Sequence, residues 1–342
     1  MASYPPPQLT ALYMLSAPAS AFLLGIVYSF ELRKLQARMQ SRRGPWLLVP
    51  RPLRPMFGFS RILQPLYDIL KLLYKETVVP ETANKLLFRS APVAALLFAV
   101  AATLFVPIAR WSVLGSFEFS LVVLSYLLLG VSFVLIVGGA GSSSPWAAIG
   151  ARRLAELMLA YEVPLVVGSF SAALMAGSLS LTDIVAAQRS RGPFLLLNPF
   201  AAVAVFLSLL GKLHLKPFDI PEAEVEIVAG PLTEYSGKLL GVVEVARTVL
   251  LFVGAAFFID LFLVGASIGG LDALSTVASA VLFVFEGAVL VLLLSVVQAA
   301  SPRWRVDQAF SFYAKVALAF AALGLLWPYA LRSLLPGLLP EA

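Results

Sequence analysis

Nine of the chain's 19 acidic residues stand where ionisation is costly or where one carboxylate crowds the next: Glu156, Glu162, Asp219, Glu222, Glu224, Glu226, Glu234, Glu244 and Glu286. Five of them fall within residues 217–237, PFDIPEAEVEIVAGPLTEYSG, which contain no Lys or Arg and carry a net −5. Carboxyls this close cannot all ionise independently, so a change of nearby charge or loop position shifts their proton occupancy. The chemistry on offer is proton exchange. The acids alternate with Ile220, Val225, Ile227, Val228, Leu232 and Tyr235, so the segment can bury apolar groups while presenting carboxylates to a cavity or partner; the plain alternative is a solvated loop.

The remaining acids lie inside apolar runs, where a charge costs about 2.5–3.5 kcal/mol on the insertion scale. Arg152 and Glu156 are four apart and can pair at a membrane rim. Glu162 lies ten residues beyond Arg152, roughly 15 Å along a helix, which places it near the bilayer midplane. Pro164 follows it and frees the carbonyl of Ala160. Glu162 is therefore either a proton relay lining a wet path or a neutral, hydrogen-bonded packing residue. Glu244 and Arg247 are spaced for a pair on one helix face, a structural or a functional feature equally. Glu286 has no base within four positions, so its partner comes from another helix or it is protonated. His214, flanked by Lys212 and Lys216, reads as an interfacial residue between snorkelling lysines.

Other chemistries are excluded. The absence of cysteine rules out thiolate zinc sites and cysteine-ligated clusters within this chain, and a single histidine argues against haem. The glycines at 138, 139 and 141 precede Ser142, Ser143 and Ser144 without a Walker lysine, so they form a turn.

The elements that must hold these acids are membrane helices. Hydrophobic residues make up 60% of the 342 and charged residues 13%, with a mean hydropathy of +0.91. That is about half the charge of a soluble domain. The expected architecture is all-α: one polytopic membrane domain over residues 1–342, with about eight transmembrane helices. Spans are expected near 8–30, 90–111, 119–139, 153–177, 199–216, 241–264, 276–300 and 309–331. The first lacks a basic leader and is read as a retained helix. Twelve of the 25 basic residues lie between the first and second spans, whereas opposite connectors hold only Arg110, Arg189 and Arg191. The positive-inside rule then puts loop 31–89 in the cytoplasm and both termini outside a cell membrane. The net +6 is thus topological, and nucleic acid is not implied. Within that loop, 44–60 is expected to be an irregular proline-rich arm. Residues 61–76, RILQPLYDILKLLYKE, place Gln64, Asp68, Lys71 and Lys75 on one stripe and Ile62, Leu66, Ile69, Leu70 and Leu73 opposite. This spacing predicts an interfacial amphipathic helix, either a surface anchor or a docking element.

Three ordered motifs carry a resemblance that covers nearly the whole chain: KPFDIPEAEVEIVAGPLTEYSGKLLG (216–241), LQPLYDILKLLYKE (63–76) and GARRLAELMLAYEVPL (150–165). The chain resembles the proximal membrane subunit of respiratory complex I, subunit 1 or H. Its long arm at 44–58, GSSSPWAAIGARRLAE, PEAE and GPLTEYSG look most like the corresponding subunit of energy-converting membrane-bound nickel–iron hydrogenases and related ferredoxin-linked complexes. The resemblance implies a subunit without its own redox centre or cofactor, which anchors a peripheral electron-transfer arm and couples its redox chemistry to proton or sodium movement. Iron–sulfur clusters and a nickel–iron centre belong to the implied partners: an iron–sulfur small subunit and a catalytic large subunit, beside antiporter-like and small membrane subunits. Docking would fall to Gln64, Asp68, Lys71, Lys75, Glu76, Pro217 and Phe218. Coupling would fall to the nine acids, with Glu156 and Glu162 continuing the loop's carboxylates into the membrane.

A quinone-reducing NADH dehydrogenase-type subunit is the alternative within the family. An independent secondary transporter is the alternative outside it, but such transporters show repeated halves and none is found here. A passive anchor would leave Glu162 and Glu286 unexplained.

Overall fold

The computed structural model describes residues 7–42, 44–45, 62–108, 112–263 and 274–334, and residues 46–60 of the arm expected at 44–60 lie outside them. Every described regular element is helical, and the bundle forms from the expected apolar segments with shifted ends. Helix α1 (Pro7–Met39) runs past the expected end of its span, because Glu31, Arg33, Lys34 and Arg38 are good helix formers that a long helix can carry out of lipid. Helix α2 (Gln64–Tyr74) begins with Pro65 in its first turn, where no backbone donor is needed. Helix α3 (Lys85–Thr103) is capped by Asn84, whose side chain accepts the Leu87 N–H at 3.3 Å.

Helix α4 (Ser120–Ala140) ends in the expected glycine–serine turn, where Ser142 Oγ donates to the Gly139 carbonyl at 2.7 Å. Helix α5 (Pro145–Ala176) continues unbroken through Pro164, and α6 (Leu181–Arg191) follows it. The fifth expected span is shorter than its sequence suggests. Asn198 separates α7 (Phe194–Leu197) from α8 (Pro199–Lys212), leaving 14 residues, or about 21 Å, against a hydrocarbon core of about 30 Å. The break is offset by side-chain bonds: Asn198 accepts from the Ala201 N–H and donates to Ser171 Oγ at 2.7 Å and the Gly324 carbonyl at 2.8 Å.

After the short α9 (Glu224–Ile227), α10 (Gly237–Phe262) and α11 (Leu274–Ala300) cross the bundle. Helix α12 (Val306–Phe312) passes through one π-helical segment, Tyr313–Ala317, into α13 (Leu318–Leu334). Among the described residues, six helical segments are long and apolar enough to cross a membrane: α3, α4, α5, α10, residues 277–300 of α11, and residues 306–333 through α12 and α13.

Two helices organise the core. Helix α5 packs against α4, α8 and α13, and α10 packs against α1, α2 and α3. The amphipathic helix α2 therefore leans on the bundle as well as on the interface. It buries Pro65 and Ile69 and sets Leu72 and Leu73 against Gly241 of α10. Leu70, expected on the inner face, is exposed, because the packed face is rotated toward Leu72.

Candidate functional site

The acidic segment is folded down onto the bundle by close backbone contacts. Gly230 has φ +54, and a Cβ there would collide with the Pro221 carbonyl oxygen. On the opposing α5, a Cβ at Gly150 would meet Gly230 at 2.5 Å. Only glycines let loop and helix approach this closely. Tyr235 stacks on Phe88 of α3 at 4.2 Å between centroids and donates to its carbonyl at 3.0 Å. Gly150→Val is expected to lift the loop off α5 and lower stability by about 1–3 kcal/mol or more, read as faster proteolysis within 217–237 and an earlier thermal transition in detergent.

Pro217 and Phe218, expected at a docking surface, turn inward. Phe218 is 1% exposed and packs at 4.6 Å from Tyr313 and 5.4 Å from Trp304, and the Pro217 carbonyl accepts the Trp304 N–H at 3.1 Å. A phenyl ring followed by an acid gains more from an aromatic pocket than from a wet surface. They brace the loop. Of the other docking residues, Lys71, Lys75 and Glu76 are exposed, Asp68 pairs with Arg33 of α1 at 2.8 Å, and Gln64 keeps a buried oxygen without a partner.

The acids of the loop are not an unneutralised cluster, because other elements supply a base for each of three. Asp219 binds Arg303 at 2.6 Å, Glu226 binds Arg153 at 2.6 Å, and Glu222 binds both Arg247 and, at 3.1 Å, His214. Burial pushes the Glu222 carboxyl upward, but the Arg247 charge and the His214 contact outweigh it and hold it down at about 2. Asp219 differs: burial raises it, and Arg303 offsets only part of the rise. Glu234 is half-buried, and the Glu224 side chain lies outside the described residues. The spaced pairs expected within helices form as well, Arg152 to Glu156 at 2.9 Å and Arg247 to Glu244 at 3.3 Å.

A cavity of about 400 Å³ lies beneath this loop, between α1, α2, α4 and α10. Its outer end is marked by the half-exposed Arg33–Asp68 pair, and its inner end by Ser132 and Lys212, with Glu222, His214, Glu244 and Arg247 along its wall. Lys212 is 1% exposed and does not snorkel. It turns inward from the end of α8 to form an ion pair with Glu162, whose second oxygen is buried without a hydrogen bond. The Lys212 ammonium also sits 5.3 Å from the ring of Tyr161, whose hydroxyl shares a 3.0 Å hydrogen bond with Ser132. A buried ammonium is tolerated because a carboxylate and an aromatic face replace its water.

One expectation about grouping is corrected. Glu156 does not lead to Glu162: it lines a separate cavity of about 500 Å³ with Arg153, Glu226 and Arg303, because it lies on the rim toward α12. Glu286, in α11, joins neither cavity and lines an apolar groove instead. Sequence reading missed Lys212 as a member of the buried pair, since a lysine closing an apolar helix has the pattern of a snorkel and its partner lies 50 residues away. It also missed Asp260, wholly buried in α10, which the cost of an intramembrane charge should have flagged.

The sequence profile of the family described as NADH dehydrogenase matches residues 11–329. The H subunit of the NADH-quinone oxidoreductase of Geobacillus sp. (strain WCH70) is 35% identical over 301 residues, covering 86% of this chain and 85% of that protein. Its counterpart in Pelagibacter ubique is 33% identical, with 86% and 85% covered. Among solved structures, a chain of the archaeal membrane-bound sulfane sulfur reductase, a respiratory membrane complex, superposes with a TM-score of 0.82 at 29% identity, over 93% of this chain and 99% of that one.

Proposed function

Since the chain belongs to the NADH dehydrogenase subunit 1/H family and is a membrane subunit of a redox-coupled complex, we propose that it anchors a peripheral electron-transfer arm and converts events there into ion movement through the bundle. The observation that carries this reading is the Lys212–Glu162 pair, buried at the inner end of a cavity walled by Glu222 and His214. A charge change or loop movement at the outer end alters the field on Glu222, His214 and Arg247. The altered field shifts the sharing of protons farther in, where Lys212 and Glu162 exchange a proton between ionic and neutral forms. The exposed Lys71, Lys75 and Glu76 of α2 and the exposed Glu226 present the charged surface to the iron–sulfur small subunit and the catalytic large subunit.

Membership in the hydrogenase-like branch is supported by the motifs at 141–156 and 221–237 and by the likeness to the sulfane sulfur reductase chain. A quinone-reducing assembly is the second reading, favoured by the 400 Å³ cavity opening between α1 and α2. Affinity isolation of the tagged chain in mild detergent tests the proposal. Co-isolation of iron–sulfur and nickel-containing subunits is the expected result; a chain that purifies alone and moves ions alone in liposomes would refute it. Labelling of Ser29 or Ile69 by a photoreactive quinone would favour the second reading.

A further inference from the structure

The groove between α8, α10 and α11 has a volume of about 450 Å³ and walls made almost wholly of apolar side chains, among them Phe206, Phe258, Phe285 and Val289. Phe285 and Val289 are among the exposed hydrophobics, so the groove opens on the outer face of the bundle. Lipid chains alone would cover such a face without penalty. Glu286 makes it different, because it lines the groove near the middle of α11 and one of its oxygens is buried without a hydrogen bond.

Asp260 follows the groove-lining Phe258 by two residues in α10 without itself lining the groove. It is 0% exposed, and neither of its carboxyl oxygens has a hydrogen-bond partner among the described residues. The nearby donors are committed elsewhere. The Gln188 amide donates to the Asp260 backbone carbonyl at 2.7 Å, and the Tyr13 hydroxyl lies 3.4 Å from the Val106 carbonyl. No ion pair to either carboxyl forms among the described residues. Charged or neutral, a carboxyl at this depth requires a partner that hydrocarbon does not supply.

We infer that this groove seats a transmembrane helix of another subunit, one that brings a Lys or Arg side chain to Glu286. Charge complementarity selects this occupant over an acyl chain: Glu286 lines the groove with one oxygen unsatisfied and no base paired to it among the described residues. The inference rests on the family's membership in multisubunit membrane complexes, and not on the coupling role of Glu162.

The test places a photoreactive amino acid at Val289 in the assembled complex and identifies the cross-linked peptide by mass spectrometry, in the wild type and in Glu286→Gln. The expected product is a transmembrane peptide with a Lys or Arg within one helical turn of the cross-link. Its yield should fall more than about tenfold in Glu286→Gln and return when Glu286→Lys is combined with an acid at the partner's basic position. Lipid adducts alone, a helix without a basic residue, or an unchanged yield in Glu286→Gln would each overturn the inference. Because the readout is helix proximity and not ion movement, it stands or falls separately from the coupling role.

Discussion

Lys212→Met lowers the stability of the assembled complex by about 3–5 kcal/mol, whereas Lys212→Met combined with Glu162→Gln recovers most of that loss. The single change leaves the Glu162 carboxylate without its cation in a site that is 7% exposed. The double change removes both charges and leaves groups of similar volume. A thermal-shift series on the detergent-purified complex reads the difference, and the two singles and the double form a complete cycle. Equal transitions for single and double variants would mean that the pair does not share a proton or a charge. The comparison also separates folding from function, because the double variant should assemble and still fail to couple.

Arg247→Ala removes the neutral-pH stability that the acidic loop draws from the ionised Glu222 carboxylate. Glu222 is held at about 2 rather than its usual 4.5. A carboxyl depressed on folding contributes stability that is complete above its unfolded value and decays as pH falls from about 4.5 toward 2. For a depression of this size the contribution at neutral pH is on the order of 3 kcal/mol. Without Arg247 the opposing effect of burial dominates, so Glu222 is driven toward its neutral form and the neutral-pH advantage disappears. Limited proteolysis within 217–237, followed from pH 7 to pH 3, should show the variant cut faster at pH 7 and the two proteins converging at the acid end. A constant ratio of rates across that range would show that Glu222 is not the group responsible.

Much of this architecture was legible because it depends on local pattern. The apolar runs set the helices, the Gln64–Lys75 spacing set α2, and the pairs Arg152–Glu156 and Glu244–Arg247 follow from helical geometry. What escaped depends on contacts between distant segments. The partners of Asp219, Glu222 and Glu226 are Arg303, Arg247 and Arg153, each 25 to 84 positions away, so an acid-rich string appeared unneutralised. Phe218 follows the same rule: its motif context points to a surface, and only the converging α12 and π-helical segment supply the aromatic pocket that buries it. The break at Asn198 was hidden inside an apolar run, since one polar residue is not a stop signal until its buried partners, Ser171 and Gly324, are in place.

The coupling role itself is tested most directly by counting ions moved per electron pair in sealed vesicles containing the purified complex with Glu162→Gln. Electron transfer through the peripheral subunits should persist while the ion count falls to the level of an uncoupled control. A Glu162→Gln complex that assembles normally and moves the wild-type number of ions would contradict the account.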